Sequence, residues 1–133
     1  MARIVALDVG TKYIGVAGAD TSVPIATPIG AIMVDGSEVE AIRKMIADEG
    51  VSTAVIGYPR NQAGDATDQT AYSKAFGDKL TGACDIVYQD ESLTSIMAED
   101  RLKASGKPYE KADIDAMAAT IILQDYLEMH YAA

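Results

Sequence analysis

The chain opens on a continuous apolar run at residues 4–7 that leads into Asp8-Val9-Gly10-Thr11-Lys12, and a second strand-like run, 13–17, follows at once. Two such runs joined by a short glycine-containing link predict a β-hairpin. A third apolar stretch, 24–34, is rich in Ile and broken by Pro28 and Gly30. Those breakers place it at a sheet edge or give it a bulge, because proline donates nothing to a ladder. From there the period lengthens. Ser37 and Glu40 have capping-box spacing, and Val39, Ile42 and Ile46 recur at helical intervals until Gly50. Residues 53–56 read as a buried strand closed by Gly57-Tyr58-Pro59, and 60–68 as a polar loop. Ala71, Ala75, Phe76 and Leu80 mark another amphipathic helix, and 86–88 another strand, running into Gln89-Asp90-Glu91-Ser92. Thr94 can cap a helix through Leu102, which Gly106 and Pro108 stop; a last helix spans about 113–128.

An antiparallel meander followed by strands joined through helices implies a mixed sheet with helices packed on it. With 133 residues and no internal linker, the expectation is one compact α/β domain over 1–133. Hydrophobic residues make up 49% and charged residues 23%, enough for a core. No apolar run approaches the ~18–20 residues of a membrane span, and the N-terminus lacks signal-peptide character, so no membrane partner is expected.

Composition narrows the chemistry. Cys84 is the one cysteine and His130 the one histidine, which removes a disulfide framework, Cys- or His-ligated zinc and a Ser-His-Asp triad. Twenty acids against eleven Lys and Arg give a net charge of −9. Such acidity speaks against nucleic-acid binding by general attraction, which needs clustered cations. It leaves room for a nuclease whose acidic centre is bridged to phosphate by metal ions.

Position selects among the acids. On a helical wheel Asp113, Thr120, Gln124 and Glu128 share one side of the last helix, whereas Asp115 lies in line with Ala119, Ile122 and Tyr126. A carboxylate amid an apolar face is costly unless paired, protonated or metal-bound. The plainer alternative is a first-turn acid favoured by the helix dipole. Asp8 follows an apolar strand with the parity of Ile4 and Ala6, although it could simply bond the Gly10-Thr11 turn. Asp90-Glu91 again ends an apolar strand, where an exposed pair opening the next helix is the alternative. If acids from two strand ends and a helix start converge, a divalent cation is the natural resolution of their repulsion. Mg²⁺ or Mn²⁺ held that way suits phosphodiester hydrolysis.

The segment Ala6-Leu7-Asp8-Val9-Gly10-Thr11-Lys12-Tyr13-Ile14-Gly15-Val16-Ala17 resembles the opening of the YqgF/RuvX family. Val55-Ile56-Gly57-Tyr58-Pro59-Arg60-Asn61 with Gly64 resembles its second block, and Asp90-Glu91-Ser92-Leu93-Thr94-Ser95 its third. Asp115 through Ala119 to Ile121-Ile122-Leu123-Gln124, then Tyr126-Leu127, resembles its closing helix. The resemblance implies an RNase H-like fold with a mixed five-stranded sheet. It implies Asp8, Glu91 and Asp115 as catalytic, metal-binding acids, with Asp90 an adjacent candidate, and Mg²⁺ or Mn²⁺ as cofactor. The implied activity is endonucleolytic maturation of the 5′ end of precursor 16S rRNA in the bacterial cytoplasm. Resolution of branched DNA is the older inference for the family. Here Ser92 stands where the family has Arg, losing a bidentate phosphate contact.

Thr11 and Lys12 are candidates for substrate phosphate, as are Arg60 and Asn61 in the polar loop; ordinary turn and loop roles are the alternative. Lys103, Lys107 and Lys111 could form a basic flap or merely solvate a helix end. Three readings remain at this level: a metal-dependent rRNA nuclease, a DNA-junction enzyme that would need a homodimer with two symmetric sites, and an assembly factor that binds precursor rRNA without cutting it.

Overall fold

A computed structural model describes residues 3–59, 68–91 and 94–130. The elements, in order, are β1 (Arg3–Val9), β2 (Tyr13–Asp20), β3 (Val23–Met33), α1 (Glu38–Glu49), β4 (Val51–Pro59), α2 (Asp68–Asp78), β5 (Asp85–Glu91), α3 (Thr94–Ala104) and α4 (Lys111–His130). The strands form one five-stranded sheet in the order β3-β2-β1-β4-β5. β1 pairs antiparallel with β2, and β2 with β3, while β4 and β5 continue from β1 in parallel.

The alternation along β1 divides the core. Val5, Leu7 and Val9 face one side, where Ile42 and Ile46 of α1 and Phe76 of α2 cover them. Ile4 and Ala6 face the other, against Ala119, Ile122, Leu123 and Leu127 of α4. Each fully buried Ile or Leu contributes about 1.5–3 kcal/mol relative to exposure, so both faces anchor the central strand. A third cluster, Ala98 with Ala118 and Ile121, joins α3 to the outer side of α4.

β3 is an edge strand and also carries a bulge: Val16 pairs with Gly30 but Ala17 with Pro28, leaving Ile29 as the extra residue. Both devices expected from its proline and glycine are present. The capping box at α1 is not. Ser37 makes no side-chain cap; its hydroxyl and amide both donate to Asp35 Oδ1, and Glu38 Oε1 accepts from the Gly36 amide. An aspartate two residues upstream offers the closer acceptor, so the turn closes before the helix begins. Gly50 ends α1 at φ 63°, the left-handed conformation that glycine adopts without Cβ strain. Among the described residues, no helix is long and apolar enough to cross a membrane.

Candidate active site

Asp8 lies at the carboxyl end of the central strand, the end where open α/β sheets place ligands. The strand runs one residue beyond it, to Val9, so Asp8 sits inside the ladder rather than in the turn. Its neighbours across the sheet are Gly15 on β2 and Gly57 on β4. With a glycine on either side of it, Asp8 meets no side chain from its partner residues on the two flanking strands.

Gly15 sets how closely the helix approaches. A Cβ built there would lie 1.9 Å from the Asp115 carbonyl oxygen and 3.0 Å from the Ala116 amide nitrogen. The backbone of α4 therefore rests directly on β2, opposite Asp8. Glycine inside a strand marks such close backbone approach, a signal that could have drawn attention to Gly15 in the sequence.

Asp115 is 6% exposed. It lies one turn into α4, past the first-turn amides that the helix-dipole alternative invoked; Asp113 serves that end, accepting from the Glu110 amide at 2.9 Å. Lys111 Nζ donates to Asp115 Oδ1 at 2.5 Å. That Lys111–Asp115 pair, with the i,i+4 spacing of helix ion pairs, went unread in the sequence.

The two carboxyls sense each other. The Asp8 carboxyl is pushed up to about 6 from its ordinary 3.8, first by burial and next by the negative charge of Asp115, while the Lys111 ammonium pulls the other way. The two acids repel each other, and a protein cation already leans on one of them. Such a donor set suits a hard divalent ion, which takes carboxylate oxygens and removes their repulsion.

Glu91 closes β5, paired in register with Pro59, and Asp90 pairs with Tyr58, two strands across from β1. The side chains of both acids lie outside the described residues, as do Arg60, Asn61 and Ser92 in full. Among the described residues, no group of three or more His, Cys, Asp and Glu is placed to hold a metal ion. Asp8 and Asp115 are the part of the expected acidic set that is seen to converge. Thr11 and Lys12 are exposed in the turn between β1 and β2. The Lys12 carbonyl accepts from Val34, and the Gly10 amide donates to the Tyr13 carbonyl, so the turn's backbone is held by the sheet itself.

The chain is similar to known proteins along nearly its whole length. The family model described as "RuvX: Holliday junction resolvase" matches residues 2–129. A Chloroflexus aurantiacus protein named "Putative pre-16S rRNA nuclease" is 41% identical over 131 residues, covering 94% of this chain and 86% of its own. A Sulfurihydrogenibium protein of the same name is 37% identical, covering 96% and 91%. Among solved structures, Thermus thermophilus RuvC in complex with a Holliday junction superposes with a TM-score of 0.58 at 10% identity, over 97% of this chain and 95% of that one. Fowlpox virus resolvase with its junction DNA gives 0.58 at 13% identity, over 96% and 97%. At such low identity the likeness establishes the fold, which is that of the RNase H-like resolvases.

Proposed function

Because the chain belongs to the RuvX family of nucleases, we propose that it is a divalent-metal-dependent endonuclease that processes the 5′ end of precursor 16S rRNA in the bacterial cytoplasm. Asp8, Glu91 and Asp115 are the acids assigned to hold Mg²⁺ or Mn²⁺, with Asp90 adjacent. The observation that carries the reading is the convergence of Asp8 and Asp115, enforced by Gly15 and registered in the raised Asp8 carboxyl. The names of the relatives at 35–41% identity support the rRNA substrate.

When bound, a divalent ion supplies activation of water and charge neutralisation at the leaving oxygen of a phosphodiester. The chain's own groups do the rest. Asp8 and Asp115 must both be ionised to act as ligands. Lys111 must release Asp115 for that purpose, which leaves its ammonium free for a phosphate oxygen. Thr11 and Lys12, exposed beyond the end of β1, are assigned to the phosphates of the substrate together with Arg60 and Asn61.

The test is cleavage of a precursor 16S rRNA fragment in Mn²⁺. Asp8→Asn and Asp115→Asn, each folded, are expected to lose activity by about two orders of magnitude or more, the scale of removing one charge contact to the transition state. Full activity in either variant would overturn the assignment, and RNA binding without any cleavage by the pure wild type would favour a non-catalytic assembly factor. Branched DNA is the second reading, favoured by the family description and by neighbours solved with junctions. It requires two symmetric sites and hence a homodimer; linear RNA cleaved by a strictly monomeric protein in sedimentation decides against it.

A further inference from the structure

Lys111 stands where the local rules of a helix disfavour it. It is the first residue of α4, where the free amides attract an anion and repel an ammonium. Its partner Asp115 lies four residues on, so the cation is on the N-terminal side of the pair, the weaker of the two orders for i,i+4 pairs. Asp113, the acid nearer that end, is engaged by the Glu110 amide. Neither the helix dipole nor the order of the pair therefore accounts for an ammonium here. Two mutually repelling carboxyls do.

Lys111 Nζ donates to Asp115 Oδ1 at 2.5 Å, and its charge also opposes the rise of the Asp8 carboxyl. Asp115 depends on that charge, because a carboxylate only 6% exposed is costly when unpaired. The Lys111 side chain itself is 65% exposed. A hydrated ammonium on a flexible stem is held weakly and leaves at small cost. The acids are thus compensated by a charge that is tethered yet displaceable. Holding a divalent ion takes the same carboxylate oxygens. Once displaced, the ammonium stays on its stem within the screening distance of about 8–10 Å, so it continues to repel the ion.

We infer that Lys111 competes with the divalent ion for Asp115, and that this competition sets the ion concentration at which the acids load. The inference rests on the nuclease reading for the acids as metal ligands. It goes beyond that reading in giving Lys111 a role opposite to support. Removing a side chain that braces the acids weakens metal binding, whereas removing a competitor strengthens it.

The experiment measures binding of Mn²⁺ alone to the full chain at about pH 8, where both acids are ionised, by counting free Mn²⁺ in electron paramagnetic resonance. Lys111→Met is expected to bind Mn²⁺ about three- to tenfold tighter than wild type, the scale of relieving one partly exposed charge pair. In EDTA the same variant melts at a lower temperature than wild type, and Mn²⁺ raises its melting temperature by more. Lys111→Arg, which keeps the charge, binds Mn²⁺ no tighter than wild type. If Lys111→Met fails to fold, Lys111→Gln carries the same comparison. Equal or weaker Mn²⁺ binding by a folded, uncharged variant overturns the inference and leaves the nuclease reading standing. Asp8→Asn, measured in parallel, is expected to bind Mn²⁺ more weakly than wild type. If it does not, or if the wild type binds no Mn²⁺, the ion is not held by these acids and both readings fall.

Discussion

Asp8 carries an electrostatic conflict that the rest of the site must resolve. In the folded, metal-free protein its carboxyl titrates near 6, against 3.8 ordinarily, because burial and Asp115 oppose its charge. A folded value above the unfolded one means that its contribution to stability is fully present below about pH 4 and lost as the pH rises through 6. The shift corresponds to on the order of 2–3 kcal/mol at neutral pH. Without metal, Asp8→Asn should therefore be more stable than wild type at pH 7.5 by an amount of that order. The advantage should vanish toward pH 4, as read by paired thermal melts across the range. Saturating Mn²⁺ should reverse the order at pH 7.5, because only the native carboxylate gains an ion. A variant no more stable than wild type at pH 7.5 would mean that Asp8 is not held against its charge. The acid's candidacy was legible from its parity with Ile4 and Ala6, since strand alternation is local. Its pairing with two glycines was not, because those partners lie on other strands.

At the scale of elements, α4 decides the geometry. Its sequence offers Asp113, Thr120, Gln124 and Glu128 as a polar side, yet Thr120 is buried with its hydroxyl on the Ala116 carbonyl, and Gln124 Oε1 accepts from the Ala26 amide. The helix is wedged between the sheet and α3, so two of its sides are apolar and the wheel shows no single stripe. Gln124→Leu should cost about 1–3 kcal/mol in urea unfolding, the penalty of leaving the part-buried Ala26 amide without its acceptor. Gly15→Ala is the sharper probe. Its Cβ cannot coexist with the Asp115 carbonyl, so either α4 lifts or β2 bends, with a destabilisation of about 1–3 kcal/mol or more. Cleavage should fall by at least tenfold although every acid remains in place; wild-type activity in that variant would show that the seat of α4 on β2 does not position Asp115.

At the scale of the molecule, an acidic protein with one cationic segment should bind RNA with a shallow dependence on salt. Six cations, Lys12, Arg60 and those at residues 101, 103, 107 and 111, limit the slope of log K against log salt to about −4, at roughly −0.7 per phosphate neutralised on a single strand. Binding isotherms from low to moderate salt in EDTA check this, and a slope near −6 would point to cations elsewhere, such as Arg3 and Arg43. The sequence by itself determined the order of strands and helices, that β3 is an edge or a bulged strand, and which acids stand at strand ends or on an apolar helix face. Those features follow from periods of two and 3.6 residues and from the backbone chemistry of proline and glycine, all written locally. Only the tertiary structure decided that α4 is covered on two sides, that its backbone rests on Gly15, and that Lys111 pairs with Asp115. Contacts between a strand near the start of the chain and a helix near its end leave no periodic trace; they exist only once the sheet has set β2 beside β1.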